Sequence, residues 1–382
     1  MAIAIQGLNP DGLWTGNNDD IIISGLTEDI RIKYTVSVGS ITLGTFSERY
    51  AAVDGVATIR RLGDVAKRYF DFFDPNTLAQ SYRWVSLPTI QAAIYNLRGI
   101  QIEGFSQKFC YSSILVDSAT PADFKRFMTR YTDRTVYPRQ SEWLAYMDLD
   151  YDFVIAVSYT EQWQVPGLIS YDEPKFHEIT IKAGNTRDIC IESMSMASIV
   201  QRMATAGIHI TQDHIISYDA YLKYGPSIMD IVRYTINRDE QICRHDICYY
   251  NVFGVPSVMV LTGQRKRTGE YSGTALQKGR SYHMVEKKLV IKSEAYTGYI
   301  DSQSRDAAYD LIVSDDLYRC MDNGSWQPIT LLDANISEAE PTTEPICLKL
   351  TYRTSDDDRQ LSFRRLPYGQ RIFDNTFDNS FE

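Results

Sequence analysis

The sequence is poor in the groups that carry most catalytic and metal chemistry. It has five His in 382 residues, which leaves little material for imidazole catalysis or a His-ligated metal. No uninterrupted apolar run approaches the roughly 18–20 residues that a membrane-spanning helix needs. No Lys or Arg precedes Arg31, so the basic start of a secretory signal is not seen. The six Cys (110, 190, 243, 248, 320 and 347) are widely scattered, a pattern that fits reduced thiols packed in cores rather than a disulfide framework. No Gly-x-Ser-x-Gly elbow, Walker-type loop or dinucleotide-binding glycine loop occurs. Positive charge is also in deficit: 39 Lys and Arg stand against 49 Asp and Glu, a net charge of −10. That balance speaks against a nucleic-acid binder, which needs a positive surface.

Hydrophobic residues are 44% and charged residues 23%, an ordinary globular composition. Tyr is abundant, at 26 residues. A ring with one apolar and one hydrogen-bonding end suits half-buried strands and interfaces. The length, at about 150 residues per domain, suggests two or three domains.

Strand periodicity dominates. Ile30, Ile32, Tyr34, Val36 and Val38 alternate with Arg31, Lys33, Thr35 and Ser37, which predicts a strand with one buried face. Gly39-Ser40 is a two-residue turn, and Ile41, Leu43 and Phe46 lie on its hairpin partner. Val56–Leu62 reads as a strand running into a helix whose Leu62, Val65, Tyr69 and Phe72 share a face, ended by Pro75. The segment 90–97 is helix or strand. Gly99–Cys110 alternates in part, with Gly104 as a bulge. Thr120-Pro121 predicts a helix start, and Tyr146–Val157 one strong strand. Glu178–Lys182, Ile215–Leu222, Ile247–Phe253, Ser257–Thr262, His283–Lys292 and Leu348–Arg353 are further strands. Met194–Ala206 is a helix stopped by Gly207. Short strands and many turns make the expected class all-β or β-dominated, with several β-sandwich, fibronectin-like modules and a few short helices. The expected division is an N-terminal β-sandwich module over 1–78, a mixed β module or linker domain over 79–153, a second β-sandwich module over 154–245, and a C-terminal β module with an aromatic tail over 246–382.

Three clusters carry possible chemistry. Cys243, His245 and Cys248 supply three zinc-type ligands, yet zinc wants four, and alternation along a strand puts Cys248 opposite the other two. Asp148, Asp150 and Asp152 open like a calcium loop, but Phe153 stands where the glycine belongs and Tyr159 where the bidentate Glu belongs. Strand packing and a solvated strand face account for both, so no metal and no cofactor is expected. Arg265-Lys266-Arg267 between Gly263 and Gly269 reads as a solvated hairpin tip. Triad members need not be near in sequence, so a hydrolase stays open as an alternative.

The end of the sequence repeats Phe-Asp-Asn with period four: Phe373, Phe377 and Phe381 with Asp374, Asn375, Asp378 and Asn379 between them. Burying each Phe is worth about 1.5–3 kcal/mol. These three rings either fold back on their own domain or anchor in a neighbouring subunit, and they are the expected interface residues.

At this point a resemblance enters. Tyr34–Phe73, with strand, turn, strand, Asp54-Gly55 and Ile59 leading into an amphipathic helix, resembles repeated β-modules in tail and baseplate proteins of phages and prophages of Bacteroidetes. Phe127-Met128-Thr129-Arg130, Glu142-Trp143-Leu144, Ile216-Ser217-Tyr218-Asp219 and Tyr250-Asn251-Val252-Phe253-Gly254-Val255-Pro256 are similar in order there, as is the ending Phe373–Glu382. The similarity spans most of residues 30–382 and is weakest over 75–125. None of its motifs is a catalytic signature. The resemblance implies a non-enzymatic structural subunit of a phage tail or baseplate, located in the virion tail and assembled in the bacterial host cytoplasm. Its implied partners are a homo-oligomeric ring and other tail proteins, with no nucleic acid and no membrane. The alternative is a carbohydrate- or receptor-binding module at the tail tip, with a host-surface glycan as ligand.

Overall fold

The computed structural model describes residues 2–354, except for 18, 71–73, 78–81, 86, 118–119, 162–172, 187, 240–243, 279–280, 301 and 338–345. Strand takes 53% of it and helix 12%, so the chain is strand-dominated with a sandwich-like build. It divides into two compact units. The first comprises residues 1–241, 246–259 and 301–315, and the second 242–245, 260–300 and 316–382.

The first unit opens with a sandwich. Its larger sheet has five strands in the order Leu13–Trp14, Gln101–Cys110, Pro88–Tyr95, Ile30–Val38 and Ile41–Tyr50. Three further strands, Ala4–Gln6, Ile21–Ser24 and Val56–Ile59, form the smaller sheet. The core between them follows from alternation: Ile30, Ile32, Tyr34 and Val36 meet Ile21, Ile23, Ala57 and Ile59, with Ile90, Ala92 and Ile94 beside them. Alternating chains bury one face because successive side chains point to opposite sides. The expected hairpin of Ile30–Val38 with its partner is thus found. Residues 90–95 of the segment 90–97 lie in the strand Pro88–Tyr95, and the larger sheet joins strands from both sides of residue 78.

Several expectations are corrected. The helix after Val56–Ile59 is short, Leu62–Lys67, and Pro75 starts a 3-10 turn, Pro75–Thr77, instead of ending a long helix. Gly104 is in regular register with Ala93, and the irregularity falls at Ile94/Tyr95. A glycine is needed there because a Cβ would lie 2.9 Å from the Ala92 carbonyl oxygen. Thr120 does cap, accepting the Asp123 amide at 3.1 Å, but only a single turn, Pro121–Asp123, follows. Tyr146–Val157 is two strands in two sheets, Trp143–Met147 and Asp152–Tyr159. The chain leaves the first sheet at Asp148, which is buried and takes hydrogen bonds from the Gly184 and Thr186 amides, both at 2.9 Å.

Asp152–Tyr159 lies inside a second five-stranded sheet of order Asp133–Val136, Ser227–Ile236, Ile215–Tyr224, Asp152–Tyr159 and Lys175–Ile181. Trp143–Met147 pairs with Ile189–Ser193. Tyr146 and Phe153 stack at 5.1 Å, and Phe127 meets both rings edge-on. The helix Met196–Thr205 is capped by the Ser195 hydroxyl and followed by Gly207 at φ +81°. A glycine takes that left-handed position without a Cβ clash.

In the second unit, strands Leu317–Cys320, Trp326–Ser337, Ile346–Thr354, Ser281–Ile300 and Arg265–Lys278 run side by side, each antiparallel to the next. Arg265-Lys266-Arg267 is therefore not a hairpin tip. It starts a strand and faces Ala295, Glu294 and Ser293.

Candidate interaction surface

The strongest polar cluster of the first unit is internal. Arg134 and Glu142 form an ion pair with side chains 5% and 4% exposed. The guanidinium also donates to the Trp143 carbonyl at 3.2 Å and to Thr129 Oγ1 at 2.8 Å, and lies 4.5 Å from the centre of the Tyr131 ring. Glu142 accepts from Gln140 Nε2 at 3.1 Å. Burial holds the Glu142 carboxyl above the usual carboxylate range, against the pull of Arg134. Tyr131 and Tyr249 share a 2.8 Å hydroxyl contact, and Tyr218 and Tyr234 stack at 4.6 Å. Asn251 reaches the Met128 carbonyl at 2.9 Å. Most of these groups satisfy one another in the core, while Arg134 Nε and the Tyr234 hydroxyl are buried without a hydrogen-bond partner among the described residues.

Burial also pushes the Tyr131, Tyr218, Tyr234 and Tyr249 phenols above their ordinary value. A phenol with a raised folded pKa favours folding below the unfolded value, about 10. That contribution is lost as pH rises through the folded pKa. In an alkaline titration followed by tyrosinate absorbance, a fraction of the tyrosines should therefore ionise only as the far-ultraviolet circular dichroism collapses. Smooth ionisation of all 26 before any loss of structure would contradict the burial.

The clusters expected from sequence are placed as follows. Phe373, Phe377 and Phe381 lie outside the described residues, as does Cys243. His245 and Cys248 are buried in the strand His245–Tyr250, and their odd spacing puts them on opposite faces. Asp148 does not lie on a solvated strand face: its oxygens take the two amides and Thr186 Oγ1 at 3.1 Å. Asp152 pairs with Lys182 at 2.6 Å. These acids fasten the loop 182–186. Among the described residues no group of three or more His, Cys, Asp or Glu is arranged to hold a metal ion.

The open feature is at the edge of the larger N-terminal sheet. Ile41–Tyr50 is the terminal strand, and among the described residues nothing pairs with its outer side. Residues Gly44 to Tyr50 run in regular register with Ile30–Val36, and the irregularity near the turn leaves Leu43 unpaired. Ile41 and Leu43 are 65% and 43% exposed. The two faces of this edge differ sharply.

On the outer face Arg49 stands directly opposite Arg31, and Ser47 opposite Lys33. Alternation places the three cations together. Arg31 donates to Ser47 Oγ at 3.0 Å, and Tyr95 flanks Arg31 on the other side. They line a groove of about 790 Å³ with Asn96, Thr45 and the Glu48 carboxylate. Like charges directly opposite across a strand pair are destabilising, an arrangement suited to an incoming anion.

On the inner face Phe46 stacks on fully buried Tyr34 at 4.7 Å, while Phe46, Tyr50 and Tyr69 are only part-buried against the core. Tyr34 donates to Tyr50 Oη at 3.0 Å, and Tyr50 in turn to Glu48. Burial, helped by Glu48, pushes the Tyr50 phenol up to about 12. At this edge the apolar layer ends in half-covered rings.

Sequence reading did not single out Arg31, Lys33 or Arg49. The alternation of Ile30–Val38 already put Arg31 and Lys33 on the polar face, which was the available signal.

No protein-family model matches the chain, and no curated protein matches it. Among solved structures, that of CBD12 from CALX1.2 is 9% identical, with 62% of this chain and 100% of that chain covered, at a TM-score of 0.19. Squid arrestin is 7% identical, with 58% and 89% covered, at a TM-score of 0.16. Likenesses at this level bear on neither fold nor function.

Proposed function

We propose that the chain is a non-enzymatic structural subunit of a phage tail or baseplate that assembles through symmetric contacts with its own copies and with other tail proteins. The observation that carries the assembly part is the free edge of Ile41–Tyr50. Unpaired strand edges template pairing with another chain, and proteins that stay monomeric commonly blunt them with Lys, Pro or inward charges. Here Ile41 to Ser47 hold no charge and no proline, and the charges of the strand, Glu48 and Arg49, lie at its far end. The tail assignment itself rests on the resemblance described above.

The test is the native mass in solution by light scattering. The wild type should form a ring or other closed oligomer. Ile41→Lys/Leu43→Lys should shift the mass toward a single copy. Both sites are exposed, so stability should change by no more than about 0.5 kcal/mol per site. A wild type that stays a single copy at all concentrations would end this reading. A second reading, a carbohydrate-binding module at a tail tip, is favoured by the hydroxyl-lined groove beside Tyr95. Reproducible binding on a glycan array, lost in Tyr95→Ala, would establish it.

A further inference from the structure

The geometry points to the acidic, Phe-bearing segment 373–382 of a second copy as the occupant of the Ile41–Tyr50 edge, added to the sheet as a sixth strand. This rests on the assembly reading above and names its contact.

The complementarity is two-sided. An extended strand sends alternate residues to opposite faces. Written that way, the segment carries Phe373, Asn375, Phe377, Asn379 and Phe381 on one face. Asp374, Thr376, Asp378, Ser380 and Glu382 fall on the other. The edge offers the matching pair of faces. Its inner side ends in the half-covered rings of Phe46, Tyr50 and Tyr69, which a Phe would finish covering. Its outer side carries Arg31, Lys33 and Arg49, three cations against the one carboxylate, Glu48, that also lines the groove, and the acids of the segment would neutralise the excess. The like-charged Arg31–Arg49 pair, unfavourable alone, gains a counter-ion. Main-chain hydrogen bonds along Gly44–Tyr50 would supply affinity without sequence preference, and the two faces would fix register and partner. Within a chain of net charge −10, a local group of three cations on a sheet edge also selects this acidic segment by charge.

The experiment uses two full-length variants and the wild type, each weighed by light scattering and checked for folding by thermal melting. Lys33→Glu/Arg49→Glu reverses the edge, and Asp374→Arg/Asp378→Arg reverses the segment. Each alone should assemble at least tenfold more weakly than wild type while melting normally. Mixed one to one, the two should recover assembly, because each copy then meets a segment of opposite charge on the other. Recovery on mixing requires the contact to lie between copies. A synthetic peptide of residues 373–382 in excess should dissociate the wild-type assembly. If the wild type assembles but neither variant nor peptide changes it, this inference fails and the assembly reading stands. If mixing restores nothing, although both variants fold and both have lost assembly, docking between copies is wrong. A wild type that never assembles removes the assembly reading itself.

Discussion

Glu142→Ala should be among the most damaging single changes in the first unit, lowering the unfolding free energy by about 3–5 kcal/mol. The reason is what it leaves behind. Arg134 and Glu142 are both almost fully buried, so removing the carboxylate strands a guanidinium in the core, where solvent screening is small. Gln140 Nε2 loses its acceptor as well. Replacing both charges, as Arg134→Met/Glu142→Leu, should recover more than half of the loss, because the desolvation cost of both ions disappears together with their attraction. Chemical denaturation of the three proteins gives the comparison. A Glu142→Ala variant within 1 kcal/mol of wild type (about a fivefold change in the folding constant at most) would mean that the pair is solvated.

Trp14→Ala should cost a similar amount, about 3–5 kcal/mol. Trp14 is 1% exposed. Its ring meets Phe124 edge-on at 5.3 Å and Phe253 at 5.9 Å, and those two lie 5.2 Å apart. The backbone beside Trp14 is fastened at the next residue: the Thr15 amide bonds to the Cys110 carbonyl, and Thr15 Oγ1 to the Ser112 carbonyl, both at 2.9 Å. The backbone is therefore poorly able to collapse into the void, and cavity cost is greatest where collapse is hindered. Trp14→Phe should cost less than half as much. Equal melting temperatures for the wild type and Trp14→Ala would show that the cluster does not pack as described.

The elements most legible in the sequence were those with clean period-two alternation. Ile30–Val38, the strands beginning at Ile215 and Ile346, and the helix ending before Gly207 were all visible in side-chain pattern alone. The helix Ser302–Val313 was not, for two reasons. Its buried stripe is built on Ala307, Ala308 and Leu311, which give little contrast, and it includes a buried charge, Asp310, paired with Arg130. Tyr146–Val157 failed in the opposite way. Its alternation runs on through a change of sheet, because Met147, Leu149, Tyr151 and Phe153 keep alternating with Asp148, Asp150 and Asp152 across the turn and so mimic strand.

The interaction surface was half legible, and one residue explains the other half. Counted straight from the Gly39-Ser40 turn, the hairpin sets Glu48 across from Arg31, an ordinary ion pair. The extra residue, Leu43, shifts the register by one and brings Arg49 there instead. A one-residue slip moves every later side chain to the other face. The same slip that gathers three cations outside turns Phe46 and Tyr50 inward. Nothing in residue type marks where such an irregularity falls.

The path of the chain between its two units bears on how the protein is made. The first unit needs residues 246–259 and 301–315, and Arg130 finds Asp310 only after 180 residues. A ribosome must therefore finish the helix Ser302–Val313 before that ion pair can form, whereas the core of the N-terminal sandwich is supplied by residues 3–109 alone. Long-range closures of this kind slow folding and prolong the exposure of unpaired strands. A chain with the proposed strand-accepting edge is then most vulnerable to wrong pairing while still being translated, and its demand for chaperones is expected to rise with expression rate.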